Sequence, residues 1–191
     1  MIVHQPVLLA EVLALLVPQQ NDSVMIDATL GEGGHAEAFL LKYPRLFLIG
    51  VDADASILEV ARERLSGFSD RTRIVNAWFG SFFEDEAGQT SADLILMDLG
   101  VSRYHFEASG RGFSFDRDET LDMRLGKDLP VSAADIVNTA EEGELTDILF
   151  CFGEERFARS IAGRIVRERA TTPFSSARRL ANVVAAAVPD H

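Results

Sequence analysis

The chain has 191 residues, a formal net charge of −12 at pH 7 and a hydrophobic content of 47%. This length suits one well-buried core with a small second lobe, and the acidic excess argues against indiscriminate nucleic-acid binding, which needs Lys and Arg. The sequence contains neither an apolar run of the roughly 18 residues that a membrane span needs nor a signal-peptide pattern, so we expect a cytoplasmic protein without a membrane partner.

The first hundred residues alternate predicted helices and strands. A helix at residues 7–17 ends before Pro18. Strands are then predicted at residues 23–27, 46–52, 73–76 and 92–98, and helices at residues 36–42 and 56–65. This alternation is typical of a parallel sheet that is covered on both faces.

The alternation stops after Gly100. Helical patterns then cover residues 132–138, 141–150, 154–169 and 175–188. The sequence therefore predicts an α/β domain over residues 1–103 and a helical domain over residues 104–191.

A glycine-rich turn after the first predicted strand is the most informative feature of the chain. It runs Asp27-Ala28-Thr29-Leu30-Gly31-Glu32-Gly33-Gly34-His35. Glycines let the backbone turn tightly and approach a ligand, and the next helix would direct its open N-terminal amides at that ligand. The turn therefore predicts a site for a nucleotide-type cofactor that includes Gly31 and Gly33.

The glycine spacing alone fits two cofactors. Gly31-x-Gly33-x-x-Ala36 matches the dinucleotide fingerprint of NAD-dependent oxidoreductases, and a similar turn serves S-adenosylmethionine. Asp27 favours the second cofactor, because a carboxylate before the turn repels a pyrophosphate but attracts the ammonium group of a methionyl moiety. An NAD-dependent enzyme and a tight turn without any ligand are the alternatives.

The second predicted strand ends at Asp52, about 20 residues beyond the glycine turn. Doubly wound folds place the carboxylate that binds ribose hydroxyls at this position, so we interpret Asp52 as a cofactor residue. Asp54 is a second candidate for the ribose, but its position also suits the N-cap of the helix at residues 56–65.

The fourth predicted strand also ends in a carboxylate, that of Asp98. We interpret Asp98 as the candidate catalytic residue: if the substrate is an exocyclic amine, an acceptor on its N–H restores the nucleophilicity of that nitrogen and helps to remove its proton. Methyl transfer from a sulfonium then needs mainly in-line positioning. The alternative is that Asp98 braces the following turn.

Cysteine and histidine usage indicates no metal site. Cys151 is the only cysteine, and its apolar neighbours in Ile148-Leu149-Phe150-Cys151-Phe152 favour a buried position in the core over a role as nucleophile. The four histidines are scattered without the spacing of metal ligands.

Six short motifs follow one another over nearly the whole chain. They are His4-x-Pro6-Val7-Leu8, the glycine turn, Asp98-Leu99-Gly100-Val101-Ser102, Gly110-Arg111-Gly112-Phe113-Ser114-Phe115, Leu121-Asp122-Met123-Arg124 and Gly153-Glu154-Glu155-Arg156. In this order they resemble the motifs of the ribosomal RNA small subunit methyltransferase H family, also called MraW. The resemblance implies a Rossmann-like class I S-adenosylmethionine-dependent methyltransferase fold with an inserted helical domain. It also implies N4-methylation of a cytidine in the decoding region of 16S rRNA, with the small ribosomal subunit as partner.

The resemblance implies further site residues. The family's cofactor contacts fall on Gly33, Gly34, His35, Asp52, Phe79, Asp98 and His105. Phe79 could pack on adenine or simply belong to the core. At His105 the chain reads Ser102-Arg103-Tyr104-His105 where the family usually has Ser-Ser-Pro-Gln, although histidine can donate a hydrogen bond as glutamine does.

Two basic or aromatic segments are candidates for RNA contact. Arg111, Phe113 and Phe115 lie among flexible glycines and suit the stacking of a splayed base and the binding of phosphate, or else form a hinge anchored by its aromatics. Asp122 and Arg124 are expected to pair with each other or with the helical lobe. From Phe150 onward the chain carries seven arginines against four acids, which indicates either an RNA-binding face or a solvated helical face.

The family continues beyond the helical insertion with further strands, whereas this sequence stops at His191. We therefore expect the strand at residues 94–97 to form an open edge that favours self-association, with a homodimer as one arrangement. A catalytically silent module that binds the cofactor or the ribosome is the alternative to an active methyltransferase.

Overall fold

The computed structural model describes residues 6–20, 22–86, 91–126 and 128–189, which divide into a first unit, Met1–Arg103, and a second unit, Tyr104–His191. His4 of the first motif lies outside the described residues. Each unit has its own hydrophobic core.

Four parallel strands form the sheet of the first unit. They are β1 (Val24–Asp27), β2 (Phe47–Asp52), β3 (Thr72–Asn76) and β4 (Leu94–Leu96), in the spatial order β3-β2-β1-β4. Asp27 is paired with Gly50 on one side and with Leu96 on the other. Because all four strands are parallel, their carboxyl ends meet at one edge of the sheet, as the sequence predicts.

Four α-helices and a 3₁₀ helix accompany these strands. They are α1 (Leu9–Leu15), α2 (Gly34–Lys42), α3 (Ala55–Arg64), the 3₁₀ helix Ser66–Arg71 and α4 (Phe79–Glu86). The core on one side of the sheet buries Met25, Phe39, Leu48 and Leu58 completely. Helix α4 was not predicted, although Phe82 in its second turn is buried against β2 residues Ile49 and Val51.

Beyond the sheet the chain is helical. The helices are α5 (Arg103–Glu107), α6 (Ala133–Thr139), α7 (Glu142–Cys151), α8 (Ala158–Thr171) and α9 (Ala177–Ala185). Their core centres on Leu121, Leu145, Ile161 and Phe174. Ser132 and Asp135 form a capping box that fixes the start of α6.

The predicted burial of Cys151 is wrong. Cys151 is exposed at the end of α7, and its neighbours Phe150 and Phe152 are 63% and 86% exposed. Helix α7 turns only one face to the core, through Leu145 and Leu149, so an apolar run at its end is not buried on every side.

Strand β4 is an edge strand of the described sheet. Among the described strands it pairs with β1 alone, and Ile95 and Met97 are 46% and 44% exposed. None of the described helices is long and apolar enough to cross a membrane.

Candidate functional site

Three carboxylates lie at the carboxyl ends of neighbouring strands in the first unit. Asp27 ends β1, Asp52 ends β2 and Asp98 follows β4 by two residues. The strand order places β1 between β2 and β4, so the sheet brings these three acids to the same edge. The described residues contain no group of His, Cys, Asp or Glu side chains that could hold a metal ion.

The glycine turn between β1 and α2 is held against β2. Gly31 and Gly33 have positive φ angles of 54° and 78°, a conformation that side chains disfavour. The Gly31 amide donates to Asp52 Oδ2 at 2.9 Å, and the Leu30 amide donates to the Val51 carbonyl at 2.9 Å. Helix α2 begins at Gly34 without a side-chain cap. Its N-terminal amides are therefore available to a ligand.

The Asp52 carboxylate also shapes its own strand end. Its Oδ1 accepts the Asp54 amide at 2.9 Å, while Asp54 accepts the Ser56 amide at 2.9 Å as the N-cap of α3. Asp54 is therefore the N-cap of α3, which was the alternative to its predicted role at the ribose. Each Asp52 oxygen accepts one backbone amide and has a second lone pair for a ligand hydroxyl.

The Asp27 carboxyl is buried at the end of β1. Its side chain is 2% exposed, and burial raises its pKa from 3.8 to about 7. The Thr29 amide, 3.3 Å from Oδ1, opposes this shift, whereas the negative charges of Asp52 and Asp98 add to it. A buried carboxyl of this kind favours a ligand that brings positive charge.

Asp98 has the opposite environment. Its residue is exposed, and no described residue donates a hydrogen bond to its carboxylate. Its amide donates to Thr29 Oγ1 at 2.7 Å, which ties the end of β4 to the glycine turn. The backbone of Asp98 is thus fixed while its carboxylate is available. This role of Thr29 was not predicted, because a threonine in a turn gives no signal of a partner 69 residues away.

Gly34 and His35 are in contact with the N-terminal segment. A Cβ on Gly34 would lie 2.6 Å from Cγ of Pro6, so a side chain there would displace the proline ring. The His35 ring is buried, and its Nε2 lies 3.1 Å from the Val7 carbonyl oxygen. The imidazole therefore anchors this segment, and the backbone amide of His35 is the group that a ligand at the helix N-terminus could reach.

Phe79 is the first residue of α4 and is 36% exposed. The neighbouring Phe82 and Phe83 belong to the core, whereas Phe79 is not among the buried residues. This partial exposure leaves one side of the ring available for contact with a ligand.

The remaining predicted residues belong to the second unit. The His105 ring is buried, and its centroid lies 5.1 Å from that of Phe113. The Arg111 guanidinium lies 5.8 Å from the centroid of the Phe113 ring and donates to the Arg124 and Leu125 carbonyls at 2.8 and 3.0 Å. Phe115 is 67% exposed. Within this group, Phe115 is the most accessible side chain.

Several of the C-terminal arginines stabilise the second unit. Arg169 donates to the Val137 carbonyl at 2.8 Å, Arg164 to Ala186 and Arg179 to Pro173. These guanidinium groups bind backbone oxygens of their own unit. The arginine excess is therefore in part a structural feature of the helical lobe.

The family model described as the MraW methylase family matches residues 1–191. The chain belongs to this family. Its members take S-adenosylmethionine as methyl donor, which confirms the expected cofactor and decides between the two cofactors that the glycine spacing fits. The parallel sheet and the family together confirm the predicted Rossmann-like methyltransferase fold.

The curated relatives are named ribosomal RNA small subunit methyltransferase H. The chain is 52% identical over 190 residues to the ribosomal RNA small subunit methyltransferase H of Treponema denticola, covering 99% of this chain and 60% of the relative. The protein of that name from Mycobacterium avium is 46% identical, with 97% and 51% covered, and that from Saccharopolyspora erythraea is 44% identical, with 97% and 58% covered. The chain thus spans between half and two thirds of the length of these relatives.

Proposed function

We propose that this chain binds S-adenosylmethionine and takes part in N4-methylation of a cytidine in the decoding region of 16S rRNA. The observation that carries the proposal is the set of three strand-end carboxylates around an amide-rich turn, in a chain whose relatives are named ribosomal RNA small subunit methyltransferases. Residues 1–103 would bind the cofactor, and residues 104–191 would recognise the substrate. An rRNA substrate would place the protein in the cytoplasm.

The donor set of the first unit fits this cofactor. Asp52, with one free lone pair on each oxygen, would accept the ribose hydroxyls. Buried Asp27 would attract the ammonium group of the methionyl moiety, directly or through water. The Gly33 amide already donates to the Leu30 carbonyl at 2.8 Å, so Gly33 would let the backbone approach the ligand, while the amides of Gly34 and His35 would bind it. Phe79 would pack against adenine, and resemblance to the family adds His105 of the second unit as a further contact.

Asp98 is the group that we assign to the chemistry. When bound, S-adenosylmethionine supplies an electrophilic methyl group on a sulfonium. The exposed Asp98 carboxylate would accept a hydrogen bond from the exocyclic N–H of the cytosine and then take up its proton. The hydrogen bond between the Asp98 amide and Thr29 holds the strand end in place during this step.

Aromatic and basic side chains of the second unit support an RNA substrate. Phe115 is exposed, and Phe113 carries the Arg111 guanidinium above its ring. Exposed aromatics stack on unstacked bases, and a guanidinium that already binds backbone oxygens retains a positive charge that attracts phosphate.

Methyl transfer tests the proposal directly. The chain is incubated with methyl-labelled S-adenosylmethionine and either purified small-subunit rRNA or small ribosomal subunits, and the modified nucleoside is located by mass spectrometry. N4-methylcytidine in the decoding region is the expected product. Cofactor binding without any methyl transfer would contradict the proposal and favour a silent cofactor-binding module.

Asp52→Ala is expected to weaken the binding of S-adenosylmethionine about 10-fold or more, because it removes the ribose acceptor and the partner of the Gly31 amide. Calorimetric titration measures the affinity. Asp93→Ala is the matched control: Asp93 accepts the Val24 amide at 2.8 Å, but at the amino end of the sheet. Equal affinity of the Asp52 and Asp93 variants would remove Asp52 from the site.

Self-association of the chain is expected to involve β4. Ile95 is 46% exposed on this edge strand. Ile95→Lys is the test variant, because charged side chains on edge strands discourage pairing between molecules. Light scattering should show a homodimer or larger species for the unaltered chain and a shift to monomer for Ile95→Lys. Val60→Lys, at a similarly exposed apolar position on α3, is the control. A monomeric unaltered chain would contradict this expectation.

A further inference from the structure

Met123 has a backbone conformation that methionine disfavours. Its φ is 57°, and the other described non-glycine residues with positive φ are Leu8 and Glu154. Leu8 directly precedes α1, and Glu154 follows the end of α7, where left-handed residues commonly terminate helices. Met123 lies in the loop between α5 and α6 and neither precedes a helix directly nor follows the end of one. The left-handed region costs roughly 1–2 kcal/mol for a residue with a side chain, so the surrounding contacts must hold Met123 in place.

The residues on both sides of Met123 form a rigid clamp. Arg124 Nε and Nη2 donate to Asp122 Oδ1 and Oδ2 at 2.7 and 2.8 Å, which confirms the expected pairing of these two residues. This pairing lowers the pKa of the Asp122 carboxyl and raises that of Arg124. Arg124 also donates to the Leu129 carbonyl at 3.0 Å. A bidentate pair with a third bond fixes the geometry of the loop.

A second set of bonds joins the clamp to the segment at residues 110–115. The Arg111 carbonyl accepts the Met123 amide at 2.8 Å and the Asp122 amide at 3.3 Å. In return, the Arg111 guanidinium donates to the Arg124 and Leu125 carbonyls. Met123 is therefore hydrogen-bonded to the segment that carries Phe113 and Phe115.

The contacts leave the Met123 side chain accessible. Leu121 is 3% exposed and anchors the loop in the core, whereas Met123 is 46% exposed. Arg111 and Arg124 donate to backbone oxygens of the loop. These bonds fix the loop backbone, while the Met123 thioether is left partly exposed. Sulfur is polarisable and makes favourable contacts with aromatic faces.

We propose that Met123 contacts the face of an unstacked base in the RNA substrate. This inference rests on the proposed function, since it assigns a role in RNA recognition to the Leu121-Asp122-Met123-Arg124 motif. Met123 would position the RNA strand and take no part in proton or methyl transfer. The hydrogen-bonded loop fixes the direction of the Met123 Cα–Cβ bond, so the contact requires ordering of the side chain but not of the backbone when RNA binds.

Met123→Gly separates side-chain contact from loop structure, because glycine accepts the positive φ without strain. We expect this variant to raise the KM for small-subunit rRNA about 10-fold, at the upper end of what a sulfur–aromatic contact contributes, with little change in kcat, in affinity for S-adenosylmethionine or in the thermal unfolding midpoint. Met123→Leu keeps an apolar side chain and should restore most of the rRNA affinity.

Glu154→Gly is the matched control, because it relieves the same backbone strain in the same unit and should leave the KM for rRNA unchanged. An unaltered KM in Met123→Gly would overturn the inference, as would a raised KM that is accompanied by a lower unfolding midpoint and is not restored by Met123→Leu. Failure of the unaltered chain to bind or methylate rRNA would instead contradict the proposed function.

Discussion

Asp27→Asn is expected to stabilise the chain and at the same time to weaken its binding of S-adenosylmethionine. Burial raises the pKa of Asp27 from 3.8 to about 7. Between these two pH values the folded chain retains a proton that the unfolded chain has lost. Stability therefore falls as pH rises from about 4 to about 7, and above pH 7 the ionised carboxylate costs at most roughly 4 kcal/mol.

Asparagine removes this cost because it does not ionise, yet it keeps an oxygen for the Thr29 amide. The free energy of unfolding of Asp27→Asn should therefore exceed that of the unaltered chain by an amount that grows between pH 4 and pH 7. Denaturant unfolding at pH 5 and pH 8 measures this difference. An equal difference at the two pH values would show that Asp27 does not titrate in this window.

Binding should respond in the opposite direction. A cationic ligand favours the ionised form of Asp27, so the affinity of the unaltered chain for S-adenosylmethionine should rise as pH increases through about 7. Asp27→Asn should bind at least 10-fold more weakly at pH 8 and should lose this pH dependence. Asp93→Asn, at the other end of the sheet, is the control. A variant that is more stable but binds normally would remove Asp27 from the cofactor site.

The strands and the three carboxylates could be predicted because their signals are local. An apolar run that ends in an acid gives both the strand and the position of its carboxyl end, and parallel pairing then brings Asp27, Asp52 and Asp98 together. Helix boundaries were less accurate. Helix α8 begins at Ala158, four residues later than predicted, because Glu154 has a left-handed conformation that no pattern of apolar residues reveals.

The side-chain partners could not be predicted, because they depend on residues far apart in the sequence. The His35 ring contacts the carbonyl of Val7, which is 28 residues away in the sequence, and the Asp98 amide donates to Thr29, which is 69 residues away. Arg111 shows the same limit: its composition suggested phosphate binding, but its guanidinium reaches the Arg124 and Leu125 carbonyls. A short motif identifies which residues matter more readily than it identifies what each side chain contacts.

Asp98→Asn is expected to lower the turnover of methyl transfer to small-subunit rRNA about 100-fold or more, in the range that general-base catalysis contributes. Asparagine keeps the size of the side chain, and the bond between its backbone amide and Thr29 Oγ1 should persist, so strand β4 should retain its position. The variant loses only the charge and the basicity. Turnover is measured with labelled S-adenosylmethionine at saturating rRNA.

The comparison with cofactor affinity decides the role of Asp98. A proton acceptor should lose turnover far more than affinity for S-adenosylmethionine, whereas a residue that mainly binds the cofactor should lose both. Thr29→Val tests the positioning of the same group, because it leaves the carboxylate intact but removes the acceptor of the Asp98 amide. It should lower turnover by a smaller factor than Asp98→Asn. Full turnover in Asp98→Asn would exclude a required carboxylate at the end of β4, and the search for the base would move to other groups.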